Sequence, residues 1–102
     1  MDETKYANDF EIIALAGDSR SKMIKALREA KSGKYAEAEK LMTDAESEMN
    51  SAHTKQFEML QKEANGEHVD VNIVTVHAQD HLTMATVTHD LVVEIIDILK
   101  QK

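Results

Sequence analysis

Val76-His77-Ala78-Gln79-Asp80-His81-Leu82 places two imidazoles, a carboxylate and a primary amide within two helical turns of a chain of 102 residues. Val71, Ile73 and Val74 precede it, and Met84, Ala85 and Val87 follow. Ile73, Met84, Val87, Leu91, Ile95 and Ile98 recur at threes and fours, which predicts a helix with one apolar seam. His77 and Asp80 fall in that seam, between Ile73 and Met84. A bundle helix keeps such positions apolar, because an unpaired buried polar group is costly. Two polar positions in one seam therefore need a reason, and the rest of the chain reads as the scaffold that supplies it.

Outward from this stretch, glycine sets the punctuation. There is no proline, and the glycines are Gly17, Gly33 and Gly66. Gly33 and Gly66 divide the chain into three segments of similar length, each rich in good helix formers. The first, residues 4–32, carries a stripe of Phe10, Ile13, Gly17, Ile24 and Leu27, with Ala14, Ala16 and Met23 beside it. Thr4, Asn8 and Asp9 are candidate caps, and Asn8 with Glu11 has capping-box spacing. Gly17 inside a helix implies a close helix approach or local flexibility. The second segment repeats Tyr35, Ala38, Leu41, Met42, Ala45, Met49, Ala52, Gln56, Met59 and Leu60, with His53 at the edge as a hydrogen-bonded structural residue. Asp70 is the expected N-cap of the third, which puts His77 about two turns in. The expected fold is all-α, an antiparallel three-helix bundle in a single domain spanning residues 1–102. Residues 91–99 are apolar on more than one face, which points to self-association through the third helix.

Composition excludes several classes. A chain of this length buries roughly 65% of its unfolded surface, enough for a modest core. Cysteine is absent, so there is no disulfide, thiolate metal site or cysteine nucleophile. The net charge of −7 argues against nucleic acid. No apolar run approaches the ~20 residues of a membrane span, and Asp2 and Glu3 do not resemble a signal-peptide start. The expected location is the cytoplasm, without membrane insertion.

His77 and His81, at i and i+4 with Asp80 between, would suit a metal. The zinc-protease pattern nevertheless lacks its glutamate, because Ala78 follows His77. There is neither a glycine-flanked serine elbow nor a phosphate-cradling glycine loop. What remains is an imidazole able to act as a nucleophile near neutral pH and to carry a covalent group. A helical interaction module, with polar seam residues fixing register, and a zinc hydrolase using His77, Asp80 and His81 are the competing classes.

The 76–82 stretch resembles the active-site signature of the lactose/cellobiose-type enzyme IIA proteins of the bacterial sugar phosphotransferase system. Glu11-Ile12-Ile13, Ala16-Gly17 and Ser19-Arg20, then Ala26-Leu27, Ala30-Lys31 and Gly33, resemble that family's first helix. Residues 36–41, Ala52-His53 and Gln56 resemble its second. The family has Met directly after the motif leucine, where this chain has Thr83 and then Met84, and residues 1–8 carry no resemblance. The resemblance implies a homotrimer meeting through the third helices. His77 would accept a phosphoryl group from the phosphocarrier HPr and pass it to a cysteine of enzyme IIB, for uptake of a lactose-, cellobiose- or chitobiose-like sugar. Gln79 and His81 would support the phosphoryl oxygens, within or across subunits. Asp80 from each chain would share Mg2+ or a similar cation on the trimer axis.

Overall fold

The computed structural model describes residues 6–102, which form three helices and no strands: α1 (Ala7–Lys31), α2 (Tyr35–Ala64) and α3 (Ile73–Lys100). Thr4, a candidate cap, lies outside the described residues. The contacts fix an up-down-up topology. Ser19 meets Ala45 and Glu11 meets Lys55, so α1 and α2 run antiparallel. His53 meets Thr86 and Gln56 meets Gln79, so α2 and α3 do as well. Asp9 meets Thr75 and Arg20 meets Met84, leaving α1 and α3 parallel.

Both turns are built on glycine in the left-handed region. Gly33 (φ 80°) donates to the Ala30 carbonyl at 3.0 Å, and Lys34 donates to that of Glu29 at 2.9 Å. Gly66 (φ 85°) repeats the arrangement, donating to Glu63, while Glu67 donates to Lys62. These are Schellman closures, in which only glycine takes the C′ position without a Cβ penalty.

The core is made of small residues. Ala16, Ala26 and Ala30 of α1, Ala38, Ala45 and Ala52 of α2, and Ala78 and Ala85 of α3 are buried together with Ile12, Met23, Met42, Met49, Leu82, Val92 and Ile96. Alanines on facing helices let the backbones approach, and the Ser19 hydroxyl donates to the Ala45 carbonyl across that gap at 2.6 Å. The expected α2 stripe is the observed one through Ala52, beyond which Leu60 is exposed.

Five expectations need correction. The α1 stripe of Phe10, Ile13, Gly17, Ile24 and Leu27 is only the edge of the core face: Ile13 and Leu27 pack partly buried against the core, Phe10 and Ile24 are exposed, and Ile12, Ala16, Ser19 and Met23 are buried. The α3 seam of Ile73, Met84, Val87, Leu91, Ile95 and Ile98 lies on the outside, while Thr75, Ala78, Leu82, Ala85, Val92 and Ile96 face the other helices. Asn72 caps α3 in place of Asp70, its Oδ1 accepting from the amides of Val74 and Thr75 at 2.9 and 3.1 Å. Asp70 Oδ1 is engaged by His68 Nε2 at 2.7 Å. At the start of α1, Asn8 and Asp9 lie inside the helix and Tyr6 precedes it with no side-chain cap, so no Asn8–Glu11 capping box forms. Gly17 makes no close approach within the chain, since a Cβ built there would meet nothing within 4 Å.

Candidate functional site

Asn72 starts α3, which places His77 little more than one turn from the positive end of the helix rather than two. That first turn is fastened to α1 from below. Thr75 Oγ1 donates to Asp9 Oδ2 at 2.9 Å, with both residues buried. The other carboxylate oxygen, Oδ1, is buried without a hydrogen-bond partner. The pair therefore sets the register between α1 and the turn that carries the histidine.

His77 and Asp80 lie on the outward seam and are exposed. With Phe10 and Ile13 of α1 and Ile73, Val74 and Val76 of α3, they line an apolar groove of about 320 Å³. His81, half-buried, completes a histidine pair: its Nε2 stands 3.1 Å from His77 Nε2, with the rings edge to face at 89°. One nitrogen of such a contact donates and the other accepts, so the pair holds one proton between them. Burial pushes the His81 imidazole below its ordinary value, the charges of His77 and Arg20 push the same way, and Asp80 opposes them. His81 is thus neutral at physiological pH. With the shared proton on His81 Nε2, His77 Nε2 keeps the lone pair that a nucleophilic imidazole needs.

Gln79 is not brought to this pair. At ~100° per residue it sits roughly 200° round the helix from His77, and its Oε1 accepts from Gln56 Nε2 of α2. The remaining histidines serve elsewhere. His53 Nε2 contacts Thr86 Oγ1 at 3.2 Å, His89 Nε2 lies 3.3 Å from Glu46, and His68 holds Asp70 on the exposed connection. His53 is the hydrogen-bonded interhelical residue that its stripe-edge position implied.

The spacing argument did not assign site roles to Phe10, Ile13 or Arg20. Phe10 and Ile13 were read as core, and only the outward turn of their stripe makes them the far wall of the groove. Arg20 reaches from α1 so that Nη1 lies 3.8 Å from Met84 Sδ, one turn past His81. Nothing local in the sequence marks it, because its placement depends on the α1–α3 register.

No group of three or more His, Cys, Asp or Glu among the described residues is arranged to hold a metal. The zinc-hydrolase alternative therefore has no such ligand set among the described residues. No helix among the described residues is long and apolar enough to cross a membrane.

Comparison with known proteins gives one consistent result. Residues 8–100 match the family described as PTS system, Lactose/Cellobiose specific IIA subunit. The chain is 39% identical over 92 residues to the lactose-specific EIIA component of Lactococcus lactis, covering 90% of this chain and 88% of that protein. It is 41% identical over 101 residues to the lichenan-specific phosphotransferase enzyme IIA component of Bacillus subtilis, covering 99% and 92%. The crystal structure of the cellobiose-specific enzyme IIA from Bacillus anthracis superposes with a TM-score of 0.94 at 40% identity, over 99% of this chain and 93% of that one.

Proposed function

The chain belongs to the lactose/cellobiose-specific IIA family of the phosphotransferase system, and from that premise we propose that it is a phosphohistidine carrier charged on His77. The observation that carries this reading is the exposed His77 on the rim of an apolar groove, with its Nε2 3.1 Å from a neutral His81. The donor is the phosphohistidine of HPr and the acceptor a cysteine of enzyme IIB. On charging, the donor N–P bond breaks as His77 Nε2–P forms. The leaving imidazole takes up one proton and His77 releases the one on Nδ1. On discharge the N–P bond breaks as S–P forms, and the thiol proton returns to His77. Such transfers need little beyond in-line positioning and charge stabilisation, which the His81 N–H supplies to a phosphoryl oxygen. Gln79, turned to α2 in its own chain, acts across a subunit boundary.

The working form in this reading is a cytoplasmic homotrimer. Its support is the outward α3 face of Ile73, Met84, Val87, Leu91, Ile95 and Ile98, exposed in the single chain. A face of that size on one helix calls for a cover, and two further copies provide it symmetrically. Asp80 lies in the same face. Asp80 is the carboxylate that lines the groove, and no group of three or more ligands forms among the described residues, so a cation such as Mg2+ fits between copies, where Asp80 from each would hold it and it would cancel their mutual repulsion. Similar proteins are named for lactose, lichenan and cellobiose.

The test is incubation with phosphoenolpyruvate, enzyme I and HPr, followed by intact mass. We expect an acid-labile gain of one phosphoryl group that His77→Gln abolishes and that His53→Gln, His68→Gln and His89→Gln leave intact. Normal labelling of His77→Gln overturns the assignment of the residue. No gain in wild type returns the chain to a non-catalytic helical module.

A further inference from the structure

Among the described residues Arg20 has no ion-pair partner. Lys22, two residues on, bridges Asp18 and Glu48, and Lys55 of α2 meets Glu11. Among the described residues no carboxylate lies within ion-pair distance of Arg20, although acidic residues outnumber Lys and Arg by 19 to 12. Its observed polar contact is the thioether of Met84 at 3.8 Å, a weak acceptor for a group with five donors. A half-buried guanidinium in an acidic chain, held against a sulfur, is placed for a charge that arrives later.

The surroundings say where that charge comes from. Arg20 stands on the α1 stripe that runs Phe10, Ile13, Gly17, Arg20, and the first two of these line the groove with His77 and Asp80. Between Ile13 and Arg20 that stripe has only Gly17, where even a Cβ would meet nothing within 4 Å. Gly17 itself thus puts no side chain between Ile13 and Arg20 on that stripe. The guanidinium is also near enough for its charge to act on the His81 ring. A phosphoryl dianion on His77 would otherwise sit in an apolar groove with a neutral imidazole as donor and the Asp80 carboxylate opposing it.

Resting on the phosphocarrier reading above, we propose that Arg20 is a phosphoryl-binding residue, whose guanidinium swings from Met84 Sδ to the phosphoryl oxygens once His77 is charged. Arginine suits this task because its planar fork matches two phosphate oxygens at once and it never loses its proton. Its contribution is to the charged state and not to docking of the donor.

The experiment compares wild type, Arg20→Gln and Arg20→Lys in two ways. At a fixed ratio of phosphorylated to free HPr, the equilibrium yield of phospho-His77 is read by intact mass. Separately, each protein is phosphorylated with phosphoramidate, which needs no docking, and the phosphohistidine is observed by 31P NMR. We expect Arg20→Gln to shift the equilibrium roughly tenfold against the phospho form, the scale of one charge-assisted hydrogen bond. It should also move the 31P resonance, with Arg20→Lys falling between, and Tm and oligomeric mass should stay as in wild type. A Gln variant with the wild-type equilibrium and resonance overturns the proposal. So does one that changes only the rate of charging by HPr, which would make Arg20 a docking residue, or one that loses its oligomeric mass. The wild-type phosphoprotein gives a measurement free of substitution: the Arg20 guanidinium NMR signals must shift on phosphorylation, and signals that stay still overturn the proposal even if Arg20→Gln does not fold. A wild type that is never phosphorylated on His77 refutes the carrier reading instead.

Discussion

Leu91→Ala and Leu82→Ala form a matched pair that separates the two apolar faces of α3. Leu82 is 1% exposed among the core alanines, whereas Leu91 is 59% exposed on the outward seam. Truncating a buried leucine removes transfer free energy and leaves a cavity, so Leu82→Ala should cost about 2–5 kcal/mol of fold stability. In the isolated chain Leu91→Ala removes little that is packed and should fall within about 0.5 kcal/mol. The situation reverses in association. Complete burial of a leucine is worth roughly 1.5–3 kcal/mol, and Leu91 still has more than half of its surface to bury. Covering it would contribute roughly 1–2 kcal/mol per chain, or about 3–5 kcal/mol in a trimer, which is roughly two to four decades in the trimer association constant. Sedimentation equilibrium over a wide concentration range reads this constant directly, and urea melts at low concentration read the fold. We expect wild type near three times the 11.5 kDa chain mass and Leu91→Ala dissociating at far higher concentration, with its chain stability unchanged. A Leu91→Ala protein that assembles as tightly as wild type refutes the reasoning, because the outward seam would then not be the interface.

Thr75→Val should leave the buried Asp9 carboxylate without its hydroxyl donor and cost about 1–3 kcal/mol in a urea melt; an unchanged midpoint would mean the pair is not formed. The folded His81 binds its proton less readily than the unfolded chain, so it has no effect above the ordinary histidine value and subtracts from stability as pH falls below it, down to the lowered folded value. NMR titration should find the His81 ring below the usual range and moved upward by Arg20→Gln, whereas titration at or above the usual value contradicts the site electrostatics. Asp80→Asn should weaken the trimer when Mg2+ is present and strengthen it relative to wild type in EDTA, since the first condition loses ligands and the second loses repulsion. Melting curves of the two proteins that shift together in every condition would show that Asp80 is not at a shared ionic site.

Much of the fold was legible in the sequence, because glycine and helical period act locally. Gly33 and Gly66 end their helices where the chain needs a left-handed residue, and the buried positions of α2 are those its spacing predicts. The start of α3 was misplaced because two competent caps compete within three residues. Asp70 is held by His68, which leaves Asn72 to take the amides of Val74 and Thr75. Hydrophobic period failed where it had to choose a face. On α1 and α3 large apolar side chains lie on both faces, with Ile12, Met23, Leu82, Val92 and Ile96 inside and Phe10, Ile73, Leu91 and Ile98 outside, so size alone does not choose the core face. The alanines Ala16, Ala26, Ala78 and Ala85 mark the inward face, where they permit close backbone approach between the larger buried residues.

That choice of face bears on how the site can work. In the proposed carrier the histidine would meet two different partner proteins and so has to be reachable, which one buried in an intramolecular seam would not be. His77 and Asp80 looked like polar intrusions into a core only while their seam was read as the core of one chain. On the outside, next to the α1–α3 groove, His77 is open to a donor while Phe10, Ile13 and Val76 give it apolar walls. His81 is held neutral by burial and by neighbouring charge, so its N–H remains available without adding a competing cation. The same outward seam continues through Leu91 and Ile98, so the surface that makes His77 accessible is also the one that calls for other copies of the chain. Accessibility of His77 and the exposed apolar surface therefore share one helix face. A substitution that moved the large apolar residues of α3 inward would relieve the need for partners and, in the same step, carry His77 away from the groove.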